Sequence, residues 1–406
     1  MAVGRAPFVF CGFLIGALAI SVNACSSDDS ATSAGSSSGA ASSSGTSGGS
    51  SGTSGSSSSG ASGSTGGPPT NPDDGPPAGN PLGKCAVPAA AQAESVSSPT
   101  TVVGTGTAAS CTADAFVAAV ANGGVVTFDC GPSPVKITLT ATANVFNDKP
   151  ATVIDGGGKV TLSGGGKVRI LYSNACDNSH GGYPSGVTGD CNEQVTPKVT
   201  VQNITFVDGD VRAGNVEKGG GSAMYVRGGR TKIVNARFFH NACDDKGSDV
   251  GGGAVRVLDF PKGGSTNRPV FVVNSTFGGK TGFGNTCANG GALSSIGTSW
   301  TIINSLFSDN TATGTGANDG DGGNGGAIYN DGNTIAMNMC GTSMEENRAN
   351  EGGSAIFFVS NDRSGTVTIA DSILKNNPKG KFETAGFPGM FVLAKGPPTV
   401  TNSTIE

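Results

Sequence analysis

The stretch GGAIYNDGN, residues 325–333, decides the fold because its first half recurs along the second half of the chain. A glycine pair, an optional serine, an alanine and an apolar residue occur as GGSAM (220–224), GGAV (252–255), GGAL (290–293), GGAI (325–328) and GGSAI (352–356). The alanines of successive copies are 31, 38, 35 and 28 residues apart. A repeat of this length is typical of solenoids, propellers and other arrays.

A second signal, of the form apolar-x-Asn-x-x-apolar, alternates with the first. Its copies are VQNITF (201–206), IVNARF (233–238), VVNSTF (272–277), IINSLF (302–307) and VTNSTI (400–405), with IADSIL (369–374) as a variant. The segments are rich in Val, Ile, Thr and Phe and are separated by Gly, Asn and Asp, which predicts strands and turns. Two or three strands per repeat fit a coil of parallel strands better than a four-stranded propeller blade.

Successive coils would hydrogen-bond at ~4.8 Å, so equivalent side chains would lie above one another. The residue after each repeat alanine is apolar and is predicted to point inward: Met224, Val255, Leu293, Ile328 and Ile356. The phenylalanines that end the second signal are predicted to form an internal aromatic file: Phe206, Phe238, Phe277 and Phe307.

The asparagines of the repeats are predicted to have two roles. The middle ones share the parity of the apolar residue two before them, which favours a ladder of stacked amides: Asn203, Asn235, Asn274, Asn304 and Asn402. The glycine pairs and the asparagines that end FFHN (238–241) and FSDN (307–310) are expected at bends, where positive φ is needed.

The segment TADAFVAAVANGG (112–124) predicts a helix. Thr112 is a plausible N-cap, and Phe116, Val117 and Val120 give one apolar face. A solenoid must hide the apolar cross-section of its first coil, so we expect this helix to cap the N-terminal end.

The N-terminus predicts export. Arg5 precedes an apolar run, residues 6–20, that is too short for a membrane-spanning helix and is followed by Val-Asn-Ala before Cys25. This resembles a bacterial lipoprotein signal, which implies removal of residues 1–24 and lipidation of Cys25. Ser26 is not the aspartate that retains such proteins at the inner membrane. The expectation is an outer-membrane lipoprotein that faces either the cell surface or the periplasm.

Composition separates a linker from a folded domain. Residues 25–84 are mostly Ser, Gly, Thr, Ala and Pro and are predicted to form a disordered tether, with a β-helix domain over 85–406. The formal charge is −5 and no Lys/Arg run occurs, so nucleic acid is not expected as a partner.

The alternating GGA[IVL] and FxxN signals resemble the repeats of polymorphic outer membrane proteins, within the pectate-lyase-like superfamily of right-handed parallel β-helices. The repeats cover about 201–406, and the first coil and cap about 101–170. The resemblance implies an all-β fold, a right-handed parallel β-helix with an N-terminal capping helix. It also implies surface display and adhesion. Those proteins end in a membrane β-barrel, and here we expect a lipid anchor in its place.

Eight cysteines remain after Cys11 and Cys25, an even count that suits disulfides in an exported protein. Cys243 and Cys287 follow equivalent turn signals in neighbouring coils and are predicted to pair, since the rung spacing lies within disulfide range. Cys176 and Cys191 bracket a glycine-rich excursion and are predicted to close it. Cys85, Cys111, Cys130 and Cys340 are left unassigned.

Signs of catalysis are weak in this sequence. Neither His180 nor His240 lies in the Gly-His-Gly signature of polygalacturonase-like hydrolases, and the motifs of pectate lyases are missing. Asp208, Asp210 and Arg212 cluster after a strand and are the catalytic candidates, with solvated turn charges as the alternative.

Two other patterns suggest ligands. In NDGDGGNGG (318–326), Asp319, Asp321 and Asn324 could supply oxygens to Ca²⁺, against the alternative of a polar loop. The residues two past each repeat alanine would form an outward row of aromatic and cationic side chains, with Arg227 beside it: Tyr225, Arg256, Ser294, Tyr329 and Phe357. Such a row could stack sugar rings or hold a peptide, unless a loop covers it.

The preferred hypothesis is a lipid-anchored surface β-helix that binds glycan or another cell surface without catalysis. The alternatives are a polysaccharide lyase acting on an acidic polysaccharide and a purely structural spacer. The last segment, PTVTNSTIE (398–406), enters a further coil, which predicts an end-on partner or a truncated reading frame.

Overall fold

The strands of this protein form a parallel β-helix. The computed structural model describes residues 75–177, 179–180, 193–212 and 219–406. Every named strand pair in that part of the chain is parallel, and the strands form three long sheets and one short one. From residue 124 onward the chain runs from sheet 1 to sheet 2 to sheet 3 in successive coils, and sheet 4 is inserted between sheets 2 and 3 in three coils.

Sheet 1 contains ten strands: β1 (Thr101–Val103), β2 (Gly124–Phe128), β5 (Ala151–Asp155), β8 (Lys198–Gln202), β11 (Arg230–Val234), β14 (Val270–Val273), β18 (Trp300–Ile303), β22 (Ala336–Cys340), β26 (Thr366–Ala370) and β29 (Thr399–Thr401). Sheet 2 contains nine: β3 (Val135–Thr138), β6 (Val160–Ser163), β9 (Thr205–Val207), β12 (Arg237–Phe239), β15 (Thr276–Gly278), β19 (Leu306–Ser308), β23 (Ser343–Glu345), β27 (Ile373–Lys375) and β30 (Thr404–Ile405). Sheet 3 contains eight: β4 (Ala143–Val145), β7 (Leu171–Asn174), β10 (Met224–Arg227), β13 (Val255–Leu258), β17 (Leu293–Ile296), β21 (Ile328–Gly332), β25 (Ile356–Ser360) and β28 (Met390–Leu393). Sheet 4 contains β16 (Thr286–Cys287), β20 (Thr311–Ala312) and β24 (Arg348–Ala349).

The predicted inward file of sheet 3 is confirmed residue by residue. Met224 pairs with Val255, Val255 with Leu293, Leu293 with Ile328 and Ile328 with Ile356. All five side chains are fully buried. Their side chains therefore line one wall of the core, as the spacing of the alanines predicts.

The aromatic file of sheet 2 is also confirmed. Neighbouring rings of Phe206, Phe238, Phe277 and Phe307 lie 5.0, 4.6 and 4.8 Å apart between centroids and are parallel to within 4°. Met344 and Leu374 continue the file in the next two coils. One ring per coil thus sets the interior packing of this sheet.

The two predicted roles of the asparagines are exchanged. The middle asparagines have positive φ, near 50°, and form the corner between sheets 1 and 2. Most of them are partly or fully exposed, and one hydrogen bond between side chains joins two of them, from Asn235 Nδ2 to Asn203 Oδ1 at 3.0 Å. The prediction of a ladder at these positions is wrong because a left-handed corner turns the side chain away from the core.

The amide ladder lies instead at the end of sheet 2. Its members are Asn241, Asn285, Asn310, Asn347 and Asn377. Each Nδ2 donates to the Oδ1 of the next member at 2.9–3.0 Å, and the side chains are buried. The positive φ falls on the preceding residue in four of these coils, for example 64° at Asp309.

The corner between sheets 1 and 2 carries a second ladder that the sequence analysis did not predict. In five successive coils, the residue after the corner has a hydroxyl that accepts a hydrogen bond from the N–H of the equivalent residue one coil earlier. Ser275, Ser305, Thr342, Ser372 and Ser403 occupy these positions, with N–H···O distances of 3.0–3.5 Å. Two polar ladders therefore flank the aromatic file on its two sides.

The predicted capping helix is confirmed as α1 (Ala113–Asn122). The Thr112 hydroxyl accepts from the Ala115 N–H at 3.2 Å, and Gly123 ends the helix at a φ of 69°. Phe116 and Val120 are buried in the main core cluster, so the helix covers the interior of the first coils. Short 3-10 helices occupy Ala89–Ala91 and Ala108–Ser110. No helix in the described part of the chain is long and apolar enough to cross a membrane.

Residues 75–99, the strap, lie along the outside of the column. Gly79 N–H donates to Thr276 Oγ1, and Asn80 N–H donates to the Asn304 carbonyl, each at 2.8 Å. Ala91 packs on the apolar outer side of sheet 1. The packed part of the chain therefore begins before the predicted domain boundary at residue 85.

Disulfides join Cys243 to Cys287, as predicted, and also Cys111 to Cys130 and Cys85 to Cys340. The Cα atoms of the first pair are 4.7 Å apart, in neighbouring coils. Cys176 is disulfide-bonded, but its predicted partner Cys191 lies outside the described residues.

Replacing Asn310 by alanine should destabilise the protein strongly. Asn310 accepts from the backbone and side-chain amides of Asn285 and donates to Asn347, so its loss leaves buried donors unpaired. We expect a loss of about 3 kcal/mol in the free energy of unfolding, measured by chemical denaturation. Asn338→Ala, at an exposed strand position, is the control and should change it by less than about 0.5 kcal/mol. Equal effects in both variants would contradict the ladder.

Candidate functional site

The outer side of sheet 3, the sheet 3 face, gathers most of the predicted ligand-binding residues. Register pairs Tyr225 with Arg256, Arg256 with Ser294, Ser294 with Tyr329 and Tyr329 with Phe357. Tyr172 precedes this row and Phe391 follows it. The predicted row therefore exists, one residue per coil, over seven coils.

The row is covered, so the prediction that it is exposed is wrong for its five central members. They are at most 4% exposed. The connections between sheets 2 and 3 fold over them: Arg256 Nη1 donates to the carbonyls of Gly219 and Asp249, and the Phe382 ring meets Phe357 edge to face. The alternative, that a loop covers the row, is therefore correct. The side chains of the row lie beneath these loops and pack against them.

A second row of the same face reaches solvent. It lies two residues further along each strand, and its partly exposed members are Asn174, Arg227, Leu258, Ile296 and Leu393. The Arg227 side chain has no hydrogen bond or ion pair with any described residue, and its buried Nε has no acceptor. A half-buried guanidinium without a countercharge is suited to bind an anion, because desolvation of an unpaired charge is costly.

Tyr172 and Tyr225 are paired in neighbouring strands of this face, two residues before Asn174 and Arg227. The rings of Tyr172 and Tyr225 lie 5.5 Å apart between centroids, and Tyr172 is partly exposed. The guanidinium of buried Arg169 lies 5.4 and 5.0 Å from these two centroids and donates to the carbonyls of Gly220 and Gly221. Tyr172 thus presents an aromatic surface close to a cation at the solvent boundary.

Asp331 is a functional candidate that the sequence analysis missed. It follows Tyr329 by two residues and therefore belongs to the same face, which parity alone could have indicated. Its carboxylate accepts from Asn361 Nδ2 at 2.8 Å and from the Tyr329 hydroxyl at 3.3 Å. Burial raises the pKa of the Asp331 carboxyl, and the nearby Asp249 raises it further. Burial also raises the pKa of Tyr329 well above its usual value.

A buried ion cluster lies where sheet 3 leads to sheet 1. Arg268 Nη2 donates to Asp259 Oδ1 at 2.7 Å, and Arg230 Nη1 lies 3.7 Å from Asp259 Oδ2. Burial raises the pKa of Asp259 to about 6 although both arginines oppose this. Burial and repulsion from Arg268 lower the pKa of Arg230. The edge of the sheet 3 face therefore holds further positive charge.

The predicted catalytic residues lie elsewhere, beyond the end of sheet 2. Asp208 contacts Lys136 Nζ at 3.1 Å and His240 Nδ1 at 3.7 Å, and hydrogen bonding to His240 and Lys136 lowers its pKa to about 2. Asp210 is buried and pairs with both Nε and Nη2 of Arg212. These pairings satisfy the charges within the cluster, and its catalytic role stays a prediction.

The predicted calcium ligands do not share one environment. Asp319 and Asp321 are exposed, whereas Asn324 is buried and donates through Nδ2 to Asn318 Oδ1 at 3.0 Å. In the described part of the chain, the one group of three His, Cys, Asp or Glu at metal-binding distance is Cys85, Cys340 and Asp371. Its two sulfurs form a disulfide, so they are not thiolate ligands. Calcium binding by residues 319–324 stays a prediction.

Comparison with protein-family models, with curated proteins and with solved structures finds no match for this chain.

Proposed function

We propose that this protein is a surface-exposed binding protein that holds an acidic glycan on its sheet 3 face. The observation that carries this proposal is Arg227, a half-buried cation without a partner among the described residues, on the same face as the partly exposed Tyr172. An aromatic ring stacks on the apolar side of a sugar, and a guanidinium binds a carboxylate or sulfate through two parallel hydrogen bonds.

The covered row contributes rigidity to this proposed site. Tyr225, Arg256, Tyr329 and Phe357 are fixed in register beneath the loops, so they hold the loops and the exposed row in place. The Tyr329 and Phe357 rings stack at 5.1 Å, within 3° of parallel. A preorganised face loses little side-chain entropy when it binds a ligand.

The setting of this function is part of the proposal. The repeats support a right-handed helix of the kind found in polymorphic outer membrane proteins, and the lipoprotein-like signal supports anchoring through Cys25 to the outer membrane. The Ser/Gly-rich composition of residues 26–74 suits a tether, because a coil of this length spans roughly 40 Å.

The test is retention on an array of neutral and acidic glycans. Arg227→Ala should lower the affinity for acidic glycans about tenfold or more, because a charge-assisted hydrogen bond contributes about 1.5–3 kcal/mol. Tyr172→Ala should weaken retention of both classes. Lys375→Ala is the control, since it removes a positive charge from sheet 2.

Two outcomes count against this proposal: no retention of the unmodified protein on any glycan, or equal retention by the Arg227→Ala and Lys375→Ala variants. The second outcome would place any binding away from the sheet 3 face.

A second candidate function, cleavage of an acidic polysaccharide, is favoured by one observation. The buried Asp331 carboxyl has a raised pKa and contacts Tyr329 on the same face. A carboxyl that keeps its proton to higher pH suits a general acid. If this function is correct, the protein should release unsaturated or reducing ends from acidic polysaccharides, and Asp331→Asn should abolish the release. Absence of products from the unmodified protein would remove this candidate.

A further inference from the structure

The disulfide between Cys85 and Cys340 links the strap covalently to β22, far along the column from β1. These cysteines are 255 residues apart in sequence and 6.0 Å apart between Cα atoms. The loop that this bond closes contains the sheet 1 strands from β1 to β22. It also contains Tyr172, Arg227 and Asp331 of the sheet 3 face.

The strap approaches this disulfide along the corner between sheets 1 and 2. Asn80 Nδ2 donates to the Gly341 carbonyl at 2.8 Å. The backbone of Cys85 exchanges hydrogen bonds with the Asn304 side chain, both at 2.9 Å. Residues 79–85 are thus attached to the coils of β15, β18 and β22 before the chain turns back.

After Cys85 the chain returns to the first coil. Ala91 packs against Val234, Val273 and Ile303, and Glu94 forms hydrogen bonds with Gln202. The backbone then joins sheet 1 at β1, whose partner is β2. Without the disulfide, tension from the N-terminal side would separate these contacts one after another and then peel the coils from their first strand.

We infer that the Cys85–Cys340 disulfide is a mechanical bypass that couples the N-terminal segment to β22 instead of β1. Tension between residue 75 and the C-terminal coils then passes through the covalent bond. Once the hydrogen bonds of Gly79 and Asn80 to Thr276 and Asn304 have broken, the residues between the two cysteines carry none of that load, because the disulfide is a shorter covalent path in parallel with them. The N-terminal end of the column cannot be peeled open while this bond is intact.

This arrangement matters for a tethered binding protein because most of the sheet 3 face lies within the protected loop. The inference rests on the proposed function in one respect: binding by a tethered protein is what would put the column under tension. Loss of glycan retention would leave the mechanical behaviour unchanged, so the two ideas fail separately.

Single-molecule stretching of the full chain tests the bypass, with one handle N-terminal to residue 75 and the other at Glu406. Under oxidising conditions the folded column should release about 25 nm, because only the residues outside the closed loop extend at ~3.6 Å each. After addition of a reductant the same protein should release about 120 nm. The double variant Cys85→Ser/Cys340→Ser should release about 90 nm or more without reductant.

Cys243→Ser/Cys287→Ser is the matched control, since it removes a disulfide within the closed loop. It should release the same ~25 nm as the unmodified protein under oxidising conditions. Release of more than about 60 nm by the oxidised unmodified protein, or no increase on reduction, would overturn the inference. If the double variant does not fold, the comparison of the unmodified protein before and after reduction still tests the inference.

Discussion

The structure depends on the register between neighbouring coils. Parallel strands bring each side chain to within one strand spacing, ~4.8 Å, of its equivalents above and below. A slip of one residue would move an entire inward file to the outside. The files therefore consist of groups that stabilise one another at this spacing: phenylalanine rings, amides, hydroxyls and aliphatic side chains.

The same constraint builds the candidate site. The residue after each repeat alanine points inward, so the next residue must point outward. The sheet 3 face therefore has one row that includes Tyr, Arg and Phe. A second row, two residues further along each strand, includes Arg227 and Asp331. Register places these residues on one face. Their accessibility is decided separately, by the connections between sheets 2 and 3, which differ in length from coil to coil.

This difference explains what could be predicted from the sequence. The repeat spacing predicted the pairing of Met224 with Val255, the Phe238–Phe277 stack and the Cys243–Cys287 disulfide, because each depends on register alone. The exchanged roles of the asparagines depend on which residue of a turn adopts positive φ, and composition does not show this. The packing of residues 75–84 was missed because a Pro/Gly-rich segment has a linker's composition even where specific hydrogen bonds hold it.

Disulfide trapping on the outside of sheet 2 tests the register most directly. Glu345 and Lys375 are paired in neighbouring strands and both are partly exposed. Cysteines at these two positions should oxidise to a crosslink rapidly, since paired Cα atoms in adjacent strands fall within disulfide range. Cysteines at Glu345 and Thr404, two coils apart, should not. Failure of the first pair to crosslink, or equal crosslinking of both pairs, would contradict the stacked column.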